Sequence, residues 1–138
     1  MNITETEKKL LAAALGARER AYSPYSLISV GCAILTDKGN IITGANIENS
    51  AFSPTLCAER VALAATVMQG ERPVMLAVVG GRLNAVPSDI FPPCGVCRQM
   101  LSEFADDDMP ILLGTPDSAR RVTLGELLPL SFGKENFK

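Results

Sequence analysis

At 138 residues, with hydrophobic residues at 47% and charged residues at 20%, the chain reads as one domain over 1–138. It is long enough for a core that needs no disulfide staples. A net charge of -2 with no basic run argues against nucleic acid or an anionic membrane as the main partner. No apolar run reaches the roughly 18 residues of a membrane span, and the polar stretch from Met1 to Lys9 lacks signal-peptide character, so the cytoplasm is the expected compartment.

Thr4-Glu5-Thr6-Glu7 has the form of a capping box, with Thr4 as N-cap and Glu7 three residues on. Leu10, Leu11, Ala14 and Leu15 recur at helical spacing, which predicts a first helix to about Ala21. Tyr22-Ser23-Pro24-Tyr25 ends it, because proline disfavours helix for the residue before it. Ser29 to Thr36 is β-rich, Asp37-Lys38-Gly39-Asn40 is a turn, and Ile41 to Asn46 completes a hairpin. After a loop from Ser50 to Leu56, a second helix is expected from about Cys57 to Gln69, stopped by Gly70. Its Val61, Leu63, Ala64, Ala65, Val67 and Met68 spread around the circumference, the pattern of a buried helix.

Val74 to Val79 is a continuous apolar run, as in a central strand covered on both faces. Gly81 to Pro93 reads as a loop and Gly95 to Phe104 as a third helix. Met109 to Gly114 and Arg120 to Thr123 are two further strands around a turn at Thr115-Pro116-Asp117-Ser118. Thr123 and Glu126 would cap a short helix at Leu127-Leu128. Strands alternating with helices predict an α/β fold, a three-layer α-β-α sandwich around a central five-stranded mixed sheet.

Four cysteines in a chain expected in the cytoplasm point to metal or catalysis more than to disulfides. There is no histidine, which removes Ser-His-Asp and Cys-His machinery and every His-ligated metal site. Cys57 with Cys94 and Cys97 supplies three thiolates, one short of a closed structural zinc site and the number that leaves an open position for water. Glu59, two residues after Cys57, is placed to handle protons beside that water. A ligand, x, Glu, then Pro-Cys-x-x-Cys is the signature of the zinc deaminases, with Cys57 where that signature has His. Cys32 lies in an apolar strand and reads as a small core residue, its alternative being a fourth zinc ligand. Each cluster opens a helix after a loop, where the helix N-terminus stabilises thiolate. Three thiolates leave a zinc site at about -1, so Arg60 and Arg98 are candidates to offset that charge by bonding to sulfur.

From about Tyr22 to Phe132 the chain resembles the cytidine deaminases of the small homotetrameric, zinc-dependent class. The resemblance rests on Tyr22-Ser23-Pro24-Tyr25-Ser26, Val30-Gly31, Asn46-Ile47-Glu48-Asn49, Cys57-Ala58-Glu59-Arg60, Pro93-Cys94-Gly95-Val96-Cys97-Arg98-Gln99, Glu126-Leu127-Leu128-Pro129 and Ser131-Phe132-Gly133. It implies one Zn²⁺ per chain on Cys57, Cys94 and Cys97, with Glu59 as proton shuttle. It also implies attack of zinc-bound hydroxide at C4 of cytidine or deoxycytidine, releasing ammonia in pyrimidine salvage. Asn46 and Glu48 would hold the ribose hydroxyls, and the backbone of Ala58 would meet the base. Tyr25 and Phe132 would help complete a neighbour's pocket. Ile28 stands where the family usually has a Phe that packs on the pyrimidine.

Two other readings stand beside this one. The first is a deaminase of another aminopyrimidine nucleoside such as blasticidin S, and Asn46 with Glu48 favours cytidine over it, because an amide and a carboxylate suit two vicinal hydroxyls. The second is a non-catalytic zinc or thiol-redox protein, against which Glu59 argues, since a structural site needs no carboxylate there.

Overall fold

The apolar run around Val78 forms the middle of the sheet in a computed structural model that describes residues 2–87 and 89–138. β3 (Pro73–Arg82) pairs with β1 (Ile28–Thr36) antiparallel and with β4 (Pro110–Thr115) parallel. β2 (Ile41–Ala45) and β5 (Ser118–Thr123) close the edges, both antiparallel, in the order β2-β1-β3-β4-β5. The sheet is five-stranded and mixed, as the pattern of elements predicts. Alternate residues of β3 feed two cores, which is why its sequence is apolar throughout. Leu76 and Val78 join Cys32, Ile34, Ile111 and Leu113 on one face, while Ala77 and Val79 join Ala33 and Leu112 on the other.

α1 (Glu5–Ala17) covers the second face through Leu10, Leu11 and Ala14. Its capping box forms: Glu7 N donates to Thr4 Oγ1 at 3.1 Å and Thr4 N donates to Glu7 Oε1 at 2.9 Å. The α-helical part stops at Ala17, short of the expected Ala21, and Arg18–Arg20 continues as a tighter 3₁₀ turn. α2 (Ala58–Met68) and α3 (Gly95–Phe104) cover the first face, and α4 (Leu124–Leu127) follows β5 behind the expected Thr123–Glu126 capping box. The layers are therefore α-β-α.

Two glycines let the outer layers approach the hairpin closely. A Cβ on Gly31 would lie 1.9 Å from Ala14 O of α1, and one on Gly44 would lie 2.6 Å from Ala62 N of α2. α2 is less buried than its sequence pattern, apolar over much of the circumference, leads one to expect. Ala58, Glu59, Ala62, Leu63 and Thr66 are buried, but Ala64 is exposed and Met68 is 84% exposed. The sheet covers one side of the helix, Val67 packs at the edge of that core, and Ala64 and Met68 face away. Among the described residues no helix is long and apolar enough to cross a membrane.

Candidate active site

Cys57 is the residue before α2 and Cys94 the residue before α3, each in extended backbone at the N-cap position. Neither thiol caps its own helix. The sulfurs turn to one another instead: Cys57 Sγ lies 3.8 Å from Cys94 Sγ, which lies 3.4 Å from Cys97 Sγ. All three fall within 4.8 Å of one another. A tetrahedral zinc with bonds of ~2.3 Å separates its sulfurs by about 3.8 Å, so the donor set fits that ion in number, chemistry and spacing. Cys32 is wholly buried in the core beneath α2 and takes no part in the group.

The surrounding charges suit thiolate ligation. Arg60 Nη2 donates to Cys57 Sγ at 3.6 Å and to Thr55 O at 3.1 Å. Hydrogen bonding from Cys97, Arg60 and Cys94 holds the Cys57 thiol down at about 5, which favours its thiolate form. Cys97 shifts upward, through its interaction with Cys57 and its burial. Arg60 Nε is buried and finds no hydrogen-bond partner among the described residues, so the guanidinium keeps one donor unused.

Glu59 follows Cys57 by two residues in the first turn of α2 and is only 4% exposed. Burial pushes its carboxyl up to about 7, and the Cys57 charge pushes the same way. A carboxyl balanced near neutrality both takes and returns a proton readily, which is what general acid–base work requires.

Arg98 differs from the sequence expectation. Its Nε donates to Pro93 O at 2.6 Å and its Nη1 to Leu127 O at 2.8 Å, so the guanidinium is directed at main-chain carbonyls and not at sulfur. Of the two arginines, the structure puts Arg60 on a thiol sulfur.

The remaining expected residues gather around the start of β1. Ile47 pairs with Leu56, which brings Asn46 and Glu48 beside the segment leading into Cys57. Asn46 is buried, its Oδ1 accepting from Val30 N at 2.8 Å and its Nδ2 donating to Ile28 O at 2.9 Å. The Glu48 carboxylate accepts from Tyr25 N at 3.0 Å, from Ser26 N at 3.1 Å and from the Ser26 hydroxyl. The Ser26 hydroxyl and these amides hold Glu48 below its usual range, so it presents a charged acceptor. Tyr25, Ser26, Glu48, Phe52 and Thr55 line a cavity of about 390 Å³. Ile28 is half-buried at the head of β1, and Ala58 is fully buried at the start of α2. Phe132 is not brought into this group. It stands 61% exposed against Phe137, with ring centroids 5.6 Å apart, and Gln99 Nε2 holds its carbonyl at 2.9 Å.

Ser26 and Thr55 have roles that sequence reading alone passed over. Ser26 Oγ also accepts from Ile28 N at 3.1 Å, so one hydroxyl ties Glu48 to the start of β1. A serine two residues ahead of its backbone partner in a proline-containing turn is the available signal. Thr55 holds Arg60 through its main-chain oxygen, which no side-chain pattern reveals.

Residues 4–113 match the family described as the cytidine and deoxycytidylate deaminase zinc-binding region. The chain is 44% identical over 131 residues to a cytidine deaminase from Sporosarcina psychrophila, covering 94% of this chain and 93% of that one. It is 33% identical over 107 residues to a blasticidin-S deaminase from Bacillus cereus, covering 75% and 76%. The crystal structure of a cytidine deaminase from Burkholderia pseudomallei superimposes with a TM-score of 0.82 at 36% identity, over 94% of this chain and all of that one.

Proposed function

The chain belongs to the cytidine and deoxycytidylate deaminase family, and we propose that it hydrolyses cytidine and deoxycytidine to uridine and deoxyuridine with release of ammonia. The observation that carries this reading is the convergence of Cys57, Cys94 and Cys97 beside a buried carboxyl, Glu59, balanced near neutrality. The higher identity to a cytidine deaminase than to a blasticidin-S deaminase supports cytidine over the other aminopyrimidine nucleoside.

The three cysteines would hold one zinc, which when bound makes water a nucleophile at neutral pH. Glu59 takes a proton from the attacking water and delivers protons to the ring nitrogen and to the departing amine, as the C4–O bond forms and the C4–N bond breaks. Arg60 offsets the thiolate charge from one side. Asn46 and Glu48 meet the sugar hydroxyls, the Ala58 backbone meets the base, and Ile28 covers the ring. The carboxylate of Glu48 disfavours a phosphate nearby, so free nucleosides are the substrates.

We place this activity in a cytoplasmic homotetramer formed by the one domain of 1–138, with Tyr25 and Phe132 completing a neighbour's pocket. Its support is the apolar surface of the single chain: Phe52 is 73% exposed, Met68 84% and Phe132 61%, more than isolated surface residues require. The outer side of α2, with Ala64 and Met68 exposed, adds to this uncovered apolar area.

The test is ammonia release by zinc-loaded protein over a panel of aminopyrimidine nucleosides, nucleotides and bases. Cytidine and deoxycytidine should be the efficient substrates. Preference for blasticidin S, or equal use of a monophosphate, would overturn the substrate assignment.

A further inference from the structure

α3 carries two of the three thiols, Cys94 at its N-cap and Cys97 in its first turn. The next two residues turn their side chains to main-chain carbonyls of other segments. Arg98 spans Pro93 O at 2.6 Å and Leu127 O at 2.8 Å, and Gln99 donates to Phe132 O at 2.9 Å. Pro93 is buried and immediately precedes Cys94. Fixing its carbonyl fixes the planar peptide from which Cys94 departs. Leu127 ends a four-residue helix, whose last carbonyls lack intrahelical partners and favour a cation. Beyond it Leu130 is fully exposed with a φ of 51° and Phe132 is mostly exposed, packed on Phe137, while Lys134 Nζ donates to Glu103 O at 3.4 Å farther along.

The geometry points to Arg98 and Gln99 as positioning residues that fix the ligand-bearing turn and the C-terminal segment through consecutive positions of one helix. The guanidinium is a rigid fork that sets two carbonyls at once, so it governs how firmly Cys94 is presented to the metal and where α4 ends. The Gln99 amide then sets where the chain places Phe132. This rests on the proposed function for zinc at Cys57, Cys94 and Cys97 and for Phe132 in completing a neighbour's pocket.

Zinc-loaded wild type, Arg98→Ala, Arg98→Lys, Gln99→Ala and Gln99→Glu are compared by zinc release to a chromogenic chelator without substrate, and by kcat and KM on cytidine. Arg98→Ala should release zinc about tenfold faster or more, in line with losses on removing supports behind metal ligands. Arg98→Lys should be intermediate, since an ammonium reaches one carbonyl but does not fork across two. Both Gln99 variants should release zinc at the wild-type rate. They should raise KM about fivefold with kcat kept, the scale of one lost hydrogen bond on binding. Wild-type release from Arg98→Ala overturns the inference, as does fast release or an equal fall of kcat and kcat/KM in a Gln99 variant. If Arg98→Ala does not fold, wild-type release from Arg98→Lys overturns it. A wild-type protein that deaminates no nucleoside while Arg98→Ala still releases zinc faster would overturn the proposed function and leave the role of Arg98 standing.

Discussion

As the proposed proton shuttle, Glu59 has to stay off the metal and hold its proton affinity near neutrality. Burial pushes its carboxyl up to about 7, and it lies outside the group formed by Cys57, Cys94 and Cys97. Glu59→Gln keeps shape and polarity but cannot cycle a proton. It should retain its zinc by metal analysis and lose roughly 10²–10⁴ in turnover; more than a tenth of wild-type turnover would show that another group moves the proton. Ile28 is the other position where one side chain decides an outcome. Its backbone is held at both ends, by Ser26 Oγ at 3.1 Å and Asn46 Nδ2 at 2.9 Å, so substitution changes the wall of the site and not the strand. An aromatic ring against a base contributes about 1–3 kcal/mol. Ile recovers part of this by apolar burial, which leaves a deficit of roughly 1 kcal/mol, or about fivefold to tenfold in binding. Ile28→Phe should therefore lower KM for cytidine by about that factor with kcat unchanged. A sharp fall in kcat/KM would mean the pocket is shaped for a different base.

Among the elements, α2 carries the most of the site, with Cys57 before it and Ala58, Glu59 and Arg60 in its first turn. Its height above the hairpin is set by Gly44, where a Cβ would meet Ala62 N at 2.6 Å and Ala58 O at 2.7 Å, both backbone atoms that cannot swing aside. Gly44→Ala should lift the start of α2 and move Cys57 relative to Cys94. The expected outcome is a loss of about 1–3 kcal/mol, as for other overpacked sites, with weaker zinc retention in chelator competition. A variant with wild-type stability and zinc retention would show that α2 is positioned from elsewhere. The same helix shows the limit of periodicity: apolar residues over much of its circumference implied a buried helix, whereas one sheet covers one side and leaves Met68 exposed.

Over the whole molecule, α1 is tied to the far edge of the sheet by Glu7 and Arg121, 114 residues apart, with Arg121 Nε donating to Glu7 Oε2 at 2.6 Å. Glu7 also closes the capping box, so one buried carboxylate joins the N-terminal helix to β5. The Arg121 guanidinium, with Thr4, brings its carboxyl down to about 2 from an ordinary 4.5. A depressed folded-state value means stability that is fully present above about pH 4.5 and lost as pH falls toward about 2. Glu7→Gln should lower stability at neutral pH by about 1.5 kcal/mol, the scale of a hydrogen bond to a charged group. The difference in Tm between the two proteins should close as pH drops through that window. A gap that stays constant down to about pH 2 would mean the ionised carboxylate contributes nothing.

The sequence by itself determined the element order and both capping boxes, and it singled out Cys57, Cys94 and Cys97 as a thiol set and Glu59 as the proposed proton shuttle. The capping boxes and the pairs Cys94–Cys97 and Cys57–Glu59 follow from local spacing, whereas the fold brings Cys57 to the other two thiols. Only the tertiary structure decided which partners the long polar side chains find. Arg98 has the same sequence claim to a thiolate as Arg60, being next to a site residue, yet it takes the carbonyls of Pro93 and Leu127. The pairing of Glu7 with Arg121 and the outward side of α2 were equally out of reach. A guanidinium bonds whichever acceptors lie within a few ångströms of its fork, and for Arg98 one of these comes from a segment 29 residues away, which no local spacing encodes.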